Sequence, residues 1–366
     1  MNKMVIANLV HRPLRSLISV SAIALEVTLI LLVVALFYGI LNGSKESQVG
    51  VGADLMVMPP GSSALVGMSG APISVKVADV LRKVPHVAVA APVIWWFTQK
   101  PVEIIYGIDL ASYDELSPAF RYLSGGPFQG PYDVIVDDYF ASTNRKKMGD
   151  SIEILNHQFR ICGIVPHGKG GRKFLPLATM QDLLGAEGRA SAFYVKLDDP
   201  ANADRVEKDI QEVPGMENYA VRSMREYLSM MTPENLPGFE ISIRIVIGVA
   251  VIVGFLVIFQ SMYTAVMERT REIGILKSLG ASKFYIVNVV LRETAVLAIL
   301  GIVAGVIISL VTRRAIMFER PVLRLFWSNQ WVLAASVIAI VGALAGALYP
   351  AFKAAQKDPI EALAYE

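Results

Sequence analysis

Apolar positions run almost unbroken through four long stretches near the two ends of the chain, and the middle follows a shorter period. Leu17 to Leu41 carries one charge, Glu26, and at about 1.5 Å per residue is long enough to cross a hydrocarbon core of roughly 30 Å. It is too long for the apolar region of a signal peptide and lacks a small-x-small cleavage pattern, so it reads as a retained anchor. Ile241 to Val266 is the second stretch, with Arg244 near one end where its stem can snorkel. The third runs from Tyr285 to Thr312, uncharged from Thr294 onward. The fourth, Trp331 to Phe352, is uncharged and opens on a tryptophan at the level of a membrane interface. The pattern predicts four transmembrane helices.

Between the first two stretches the pattern changes to short alternating or apolar runs punctuated by Gly, Pro and Asp. Val102 to Tyr106, Asp133 to Val136, Ile152 to Leu155, Phe159 to Ile164 and Phe193 to Leu197 read as strands. Ser74 to Lys83, Leu177 to Leu184 and Ala201 to Glu212 read as helices. Gly50 to Gly70 is rich in Gly, Pro, Ser and Met and reads as a mobile loop or a strand edge near the membrane. The expected plan is residues 1–42 as N-terminus and first helix, 43–238 as an inserted α+β domain, and 239–366 as three further helices with a tail.

Composition supports a membrane protein: 54% of residues are apolar and 18% charged, against roughly half and a quarter in soluble domains. A net charge of +2, from 34 Lys and Arg against 32 Asp and Glu, argues against a nucleic-acid partner, whose binding rests on phosphate neutralisation. Lys3, Arg12 and Arg15 precede the first stretch, Arg269, Arg271, Lys277 and Lys283 separate the second from the third, and Lys353 and Lys357 follow the fourth. The positive-inside rule then places both termini in the cytoplasm and the inserted domain outside. Arg313, Arg314, Arg320 and Arg324 oppose this orientation, since they fall on the outer side.

Catalytic chemistry is sparse. The single cysteine, Cys162, excludes an intrachain disulfide and a multi-thiolate metal cluster. His11, His86, His157 and His167 lack metal-ligand spacing and read as solvated surface residues, so no metal site is expected. Gly163-Ile-Val-Pro-His-Gly168-Lys169-Gly170 approaches a phosphate-binding loop, but Gly170 replaces the Ser or Thr that holds magnesium, and Gly171 and Phe174-Leu-Pro176 beyond it do not begin a helix. It reads as a glycine-rich turn. Asp137 and Asp138 are adjacent on a strand and point to opposite faces, so their expected role is to end it.

Met267 to Ser282 is the most informative stretch. Its spacing predicts a short amphipathic helix along the membrane, with Ile273, Leu276 and Gly280 on one face and Arg269, Arg271 and Glu272 in its early turns. Such a helix either caps the bundle or docks into a partner. The run Glu268, Arg269, Glu272, Ile273, Gly274, Ser278, Gly280, Ala281, Ser282 resembles that of the MacB/FtsX-type ABC transporter permeases, as does the tail Pro350, Ala351, Ala354, Ala355, Asp358, Pro359, Ala362, Leu363. Weaker similarity extends through Gly52-Ala-Asp-Leu55, Val134-Ile-Val136, Gly149-Asp150, Phe159-Arg-Ile-Cys-Gly163 and Pro176-Leu-Ala178.

The resemblance implies a multi-pass permease of the bacterial cytoplasmic (inner) membrane. It implies a second permease copy, identical or related, and a dimer of separate ATPase subunits. ATP and magnesium would be bound there, no cofactor is expected in this chain, and the chain itself would not be an enzyme. Residues 268–282 would be the coupling helix, with Glu268, Arg269, Arg271, Glu272, Ile273, Gly274, Leu276, Lys277 and Gly280 as the ATPase-coupling residues. The implied work is export or extraction of a lipophilic or peptide-like substrate at the outer face, with an extracytoplasmic adaptor or carrier as a further partner. The alternative is an FtsX-like transducer that activates a cell-wall hydrolase without transport.

Two features within the membrane complete the reading. Gly301 with Gly305 and Gly342 with Gly346 are small-residue pairs that allow helices to approach closely where lipid supplies no hydrophobic drive. Glu26 lies roughly 14 Å into the first span from Leu17, deep enough to need protein, water or a ligand around it. It is expected either to bond a neighbouring span, at Gln260 or Thr264, or to meet a substrate between two protomers.

Overall fold

The computed structural model describes residues 13–62, 72–99, 102–116, 119–236, 238–319 and 323–357. They form two units, one built from the helices at both ends of the chain and one from the segment between them, from Ile40 to Pro237.

Helix α1, Pro13–Val49, is continuous. It continues past the apolar stretch through polar residues to Val49. From Ile40 onward its residues belong to the inserted domain.

The inserted domain follows in the order β1 (Leu55–Met58), β2 (Ile73–Ser74), α2 (Val77–Leu81), β3 (Val87–Gln99), β4 (Val102–Ile108), α3 (Leu110–Leu116), β5 (Ser124–Gly125) and β6 (Asp133–Asp137). It continues with α4 (Asp138–Thr143), β7 (Ser151–Ile154), β8 (His157–Val165), β9 (Lys173–Pro176), α5 (Leu177–Leu183), β10 (Arg189–Ala190), β11 (Ala192–Leu197), α6 (Ala203–Gln211), β12 (Ala220–Ser223) and α7 (Met224–Met230). Among the described residues one mixed sheet runs β12-β1-β11-β3-β4-β9-β6-β8-β5, with β7 paired to β8.

Alternation sorts its side chains to two faces. Met56, Val93, Tyr106, Phe174 and Tyr194 pack with Tyr113 of α3 and Tyr227 of α7. On the opposite face Leu55, Val57, Phe193 and Val195 pack under Ala78 and Leu81 of α2 and Val206 and Ile210 of α6. Ile94, Ile105, Val134 and Leu175 pack with Met180 of α5. The five expected strands are present with small shifts at their ends, as are the three expected helices, which are shorter than the sequence suggests. Strand β3 passes through Pro92, a residue that argues against a central strand. The ladder to β4 begins one residue later, at Val93, so the missing N–H costs no bond on that edge. Of the stretch read as a mobile loop or a strand edge, residues 63–70 lie outside those described, and Leu55–Met58 is a strand, buried throughout.

The helical unit adds α8 (Phe239–Glu268), α9 (Thr270–Ser278), α10 (Lys283–Glu319) and α11 (Asn329–Gln356) to the first part of α1. Helices α1, α8, α10 and α11 are long and apolar enough to cross a membrane. Each outruns its apolar stretch, because polar flanks continue the helix beyond the hydrocarbon-length core. Ala335, Ala339, Ala343 and Ala347 recur every fourth residue of α11 and are buried, forming a narrow face against α8 and α10.

Candidate functional site

Helix α9 is fixed at both ends. Thr270 folds its hydroxyl back onto the Met267 carbonyl at 2.8 Å, and Ile273 packs with Val266, Ile286, Ala354 and Ala355, which come from α8, α10 and α11. At its far end Gly280 N–H donates to Lys277 O and Ala281 N–H to Leu276 O, both at 3.0 Å, with Gly280 at φ +91°. This is a Schellman cap, and it needs the left-handed backbone that glycine supplies. Gly280 therefore does not extend the face of Ile273 and Leu276; it lies exposed beyond the last turn. Lys277 reaches away from solvent to donate to Ala355 O at 3.0 Å and also to Lys357 O, neutralising carbonyls at the C-terminal end of α11.

Charged residues tie the same region to two spans. Arg15 of α1 lies 3.2 Å from Glu293 of α10 and 3.5 Å from Glu268 of α8, and Arg269 donates to Glu293 at 3.0 Å. Ser19 and Ser261 hydrogen-bond at 2.6 Å alongside, joining α1 to α8. Glu293 is buried and is central to this network, yet it stands one residue before the uncharged part of its stretch, so nothing in the sequence marks it. Arg269, Glu272, Ile273 and Glu293 also line a cleft with Met262 and Ile286.

What α9 leaves outside is apolar as well as charged. Arg271 and Glu272 are exposed, Ile275 is 45% exposed, Leu279 80% and, at the second residue of α10, Phe284 79%. Sequence reasoning misses these three apolar residues, because periodicity cannot tell which side of a short helix its neighbours cover. Gly274 is buried. Of the tail motif, Pro350, Ala351, Ala354 and Ala355 lie in the last turns of α11, whereas Asp358, Pro359, Ala362 and Leu363 are outside the described residues.

The other singled-out residues are placed inside the bundle. Glu26 is buried: a Cβ built on Gly254 of α8 would stand 2.0 Å from its Oε2, and one on Gly342 of α11 would stand 4.0 Å from its Oε1. Its neighbours are these glycines, and Gln260 is exposed while Thr264 bonds the Gln260 carbonyl of its own helix. The expected partner at Gln260 or Thr264 is thereby corrected: Glu26 faces Gly254 and Gly342. Gly301 and Gly305 face α1, where added Cβ atoms would stand 2.6 Å from Ile23 Cβ and 2.7 Å from Ala24 O. Thr28 donates to Gly305 O at 3.0 Å. Gly346 lies against α8, 2.8 Å from Phe255 O to an added Cβ.

Within the inserted domain the glycine-rich turn leads from β8 into the strand β9 and does not itself open into a helix. It instead receives the end of α1. Gly170 N–H donates to Ser47 O at 3.0 Å, Ser47 Oγ donates to Gly170 O at 3.0 Å, and a Cβ on Gly50 would stand 1.7 Å from Gly168 O. Gln48 joins the contact by donating to the Tyr106 hydroxyl at 3.3 Å and accepting from Tyr194 at 3.1 Å. Asp137 ends β6 as expected and caps α4, accepting from Phe140 N–H at 2.6 Å. Burial pushes its carboxyl up to about 6 and the Cys162 thiol up to about 12, so the thiol is unreactive at neutral pH.

Residues 16–213 match the MacB-like periplasmic core domain, and residues 244–359 match the FtsX-like permease C-terminal domain. The chain belongs to the MacB/FtsX-type ABC transporter permeases. Among relatives, the macrolide export ATP-binding/permease protein MacB of Aggregatibacter actinomycetemcomitans is 24% identical over 336 residues, 84% of this chain and 52% of that protein. The uncharacterized ABC transporter permease MJ1507 of Methanocaldococcus jannaschii is 25% identical over 59% of this chain and 57% of its own length. The Bacillus subtilis ABC transporter permease YtrF is 48% identical over 71 residues, covering 19% of this chain and 16% of its own. The chain thus spans about half or less of the length of these relatives. A crystal structure of the periplasmic region of MacB from Actinobacillus actinomycetemcomitans aligns with a TM-score of 0.39 at 16% identity, covering 52% of this chain and 97% of that one. In this MacB/FtsX-type permease, α9 and everything that anchors it from α8, α10 and α11 fall within the FtsX-like match.

Proposed function

We propose that this chain is the permease subunit of an ABC transporter powered by a separate ATPase dimer, which holds ATP and magnesium and docks on α9 at the cytoplasmic side. Two permease copies, identical or related, would transmit its closure to the inserted domains on the outer side of the inner membrane. Those domains would export or extract a lipophilic or peptide-like substrate, with an adaptor or carrier as outer partner. The single observation that carries the reading is the exposure of Ile275, Leu279 and Phe284 on a segment otherwise locked to three spans. Exposed apolar side chains on a rigid frame are what a protein partner covers. Arg271 and Glu272 beside them add a polar rim. The MacB relatives are named for macrolide export, which favours transport over a transducer that only activates a hydrolase.

Gly274 and Lys277 are engaged within the fold, so substituting them would disturb packing before docking. The test therefore uses Leu279→Glu and Phe284→Glu in the full chain, co-produced with its ATPase. Both variants should reach the membrane with unchanged thermal stability and lose most of the co-purifying ATPase. Retention of the ATPase at wild-type stoichiometry, with wild-type hydrolysis, would overturn the reading.

A further inference from the structure

The bundle end remote from α9 carries chemistry that the coupling role does not use. From Glu293 to Arg313 along α10 is about 30 Å by helical rise, so the two residues sit near opposite faces of a membrane. Residues 313–328 hold four arginines, Arg313, Arg314, Arg320 and Arg324, against one carboxylate, Glu319. These are the arginines that oppose the charge asymmetry of the other loops, and insertion alone gives no reason for them.

The described part of this segment is a constructed surface. Arg313 Nε donates to Leu325 O at 2.9 Å, using one of its N–H donors and holding the returning strand of chain against the end of α10. Phe326 N–H donates to Ala35 O at 2.9 Å, and a Cβ on Gly39 would stand 1.6 Å from Arg324 O, so residues 324–326 rest directly on α1. This seating leaves a small apolar cleft on α1, walled by Leu31, Val34, Tyr38, Phe326, Trp327 and Trp331. Arg314 and Arg324 are exposed, and so is Phe318, 88% of whose surface meets solvent or lipid.

We infer that this end of the bundle binds an anionic phospholipid, with Arg313, Arg314 and Arg324 on the phosphodiester and the upper acyl chain in the cleft on α1. Guanidinium groups match phosphate oxygens with paired N–H donors and stay charged at an interface. Tyr and Trp at this level hold the glycerol region, where an amphipathic ring is at home. The excess of positive charge selects an anionic lipid over a zwitterionic one, whose ammonium group would be repelled. The inference rests on the spans alone and not on the proposed docking of an ATPase.

The test is a titration of the purified full chain with phosphatidylglycerol and with phosphatidylcholine, read as bound lipid by native mass spectrometry. Phosphatidylglycerol should be preferred, and each arginine removed in Arg313→Gln, Arg314→Gln and Arg324→Gln should weaken its binding about fivefold. Lys283→Gln, at the other end of α10, should leave it unchanged. Phosphatidylglycerol with brominated acyl chains should quench the wild-type protein more than a Trp327→Phe/Trp331→Phe variant, a readout that holds even if the arginine variants fold poorly. Equal binding of the two lipids, or an undiminished preference in the folded triple variant, would overturn the inference. Displacement of the lipid by millimolar inorganic phosphate would also overturn it, by making free phosphate the ligand.

Discussion

Arg15 and Glu293, far apart in sequence, meet at 3.2 Å with both side chains largely withdrawn from solvent. Through Arg269, which shares the same carboxylate, the pair joins α1 and α10 to the segment that opens α9. One carboxylate shared by two guanidinium groups screens each from the other, so removing it leaves two cations facing each other.

Glu293→Ala should therefore destabilise the full chain by about 3 kcal/mol, the cost typical of breaking a buried ion pair from one side. The measurement is thermal unfolding in detergent. An unchanged unfolding temperature would mean that Arg15 and Arg269 are already solvated. Glu268→Ala, which gives up the longer contact to Arg15 from a half-exposed residue, should cost less than Glu293→Ala.

The glycines of the membrane helices should separate by what an added methyl would meet. Gly305→Ala and Gly346→Ala press a methyl into a neighbouring backbone and should each cost about 1–3 kcal/mol, as overpacking does. Gly342→Ala meets nothing nearer than 4.0 Å and should be neutral. Gly254→Ala meets only the end of the Glu26 side chain, so Glu26→Ala should rescue most of its cost. Equal losses at Gly342 and Gly305 in a thermal-shift series would contradict the helix spacing described.

The seat of α1 on the glycine-rich turn gives a third expectation. Gly50→Ala drives a methyl against the Gly168 carbonyl and should open the turn, raising hydrogen exchange at Gly170 N–H by about tenfold, roughly the worth of one hydrogen bond. Ser47→Ala keeps the backbone acceptor and should produce a smaller rise. Protection of this amide unchanged in both variants would show that α1 does not hold the turn.

Asp137 supplies a pH dependence. Burial raises its carboxyl from 3.8 to about 6, so the folded chain binds a proton that the unfolded chain releases between those values. Its contribution to stability is present below pH 3.8 and is lost as pH rises towards 6. Asp137→Asn keeps a capping oxygen for Phe140 N–H and removes the buried charge. The variant should be more stable than wild type by about 3 kcal/mol at pH 7.5 and nearly equal to it near pH 4. Unfolding of both chains across that range tests it, and a constant difference would assign the effect to the cap.

Hydropathy is enough to place the four spans, because a run of apolar residues has few other uses at that length. It leaves their ends short, since helix propensity and not apolarity carries α1 on to Val49 and α10 to Glu319. Glycine spacing marks Gly301 and Gly305, yet nothing in a sequence names the facing helix, so spacing alone pairs Glu26 with Gln260 instead of Gly254. Gly280 reads as part of a helical face because the period continues through it; its left-handed backbone is visible only once the chain turns. Strand β3 is hidden by Pro92 and by small residues that mimic a loop. The exposed trio of Ile275, Leu279 and Phe284 is unreadable for the converse reason, since their surroundings and not their own chemistry set them apart.

Helix α9 is closed by main-chain bonds at Gly280 and Ala281, by apolar contacts of Ile273 and by Lys277 on the carbonyls of α11. None of these involves Ile275, Leu279 or Phe284. Evolution can rewrite the three without refolding anything beneath them, so the identity of whatever binds there is adjustable on its own. On the function proposed above, where one cell makes several permeases of this kind, three interchangeable positions on an unchanging frame would insulate each pairing from the rest.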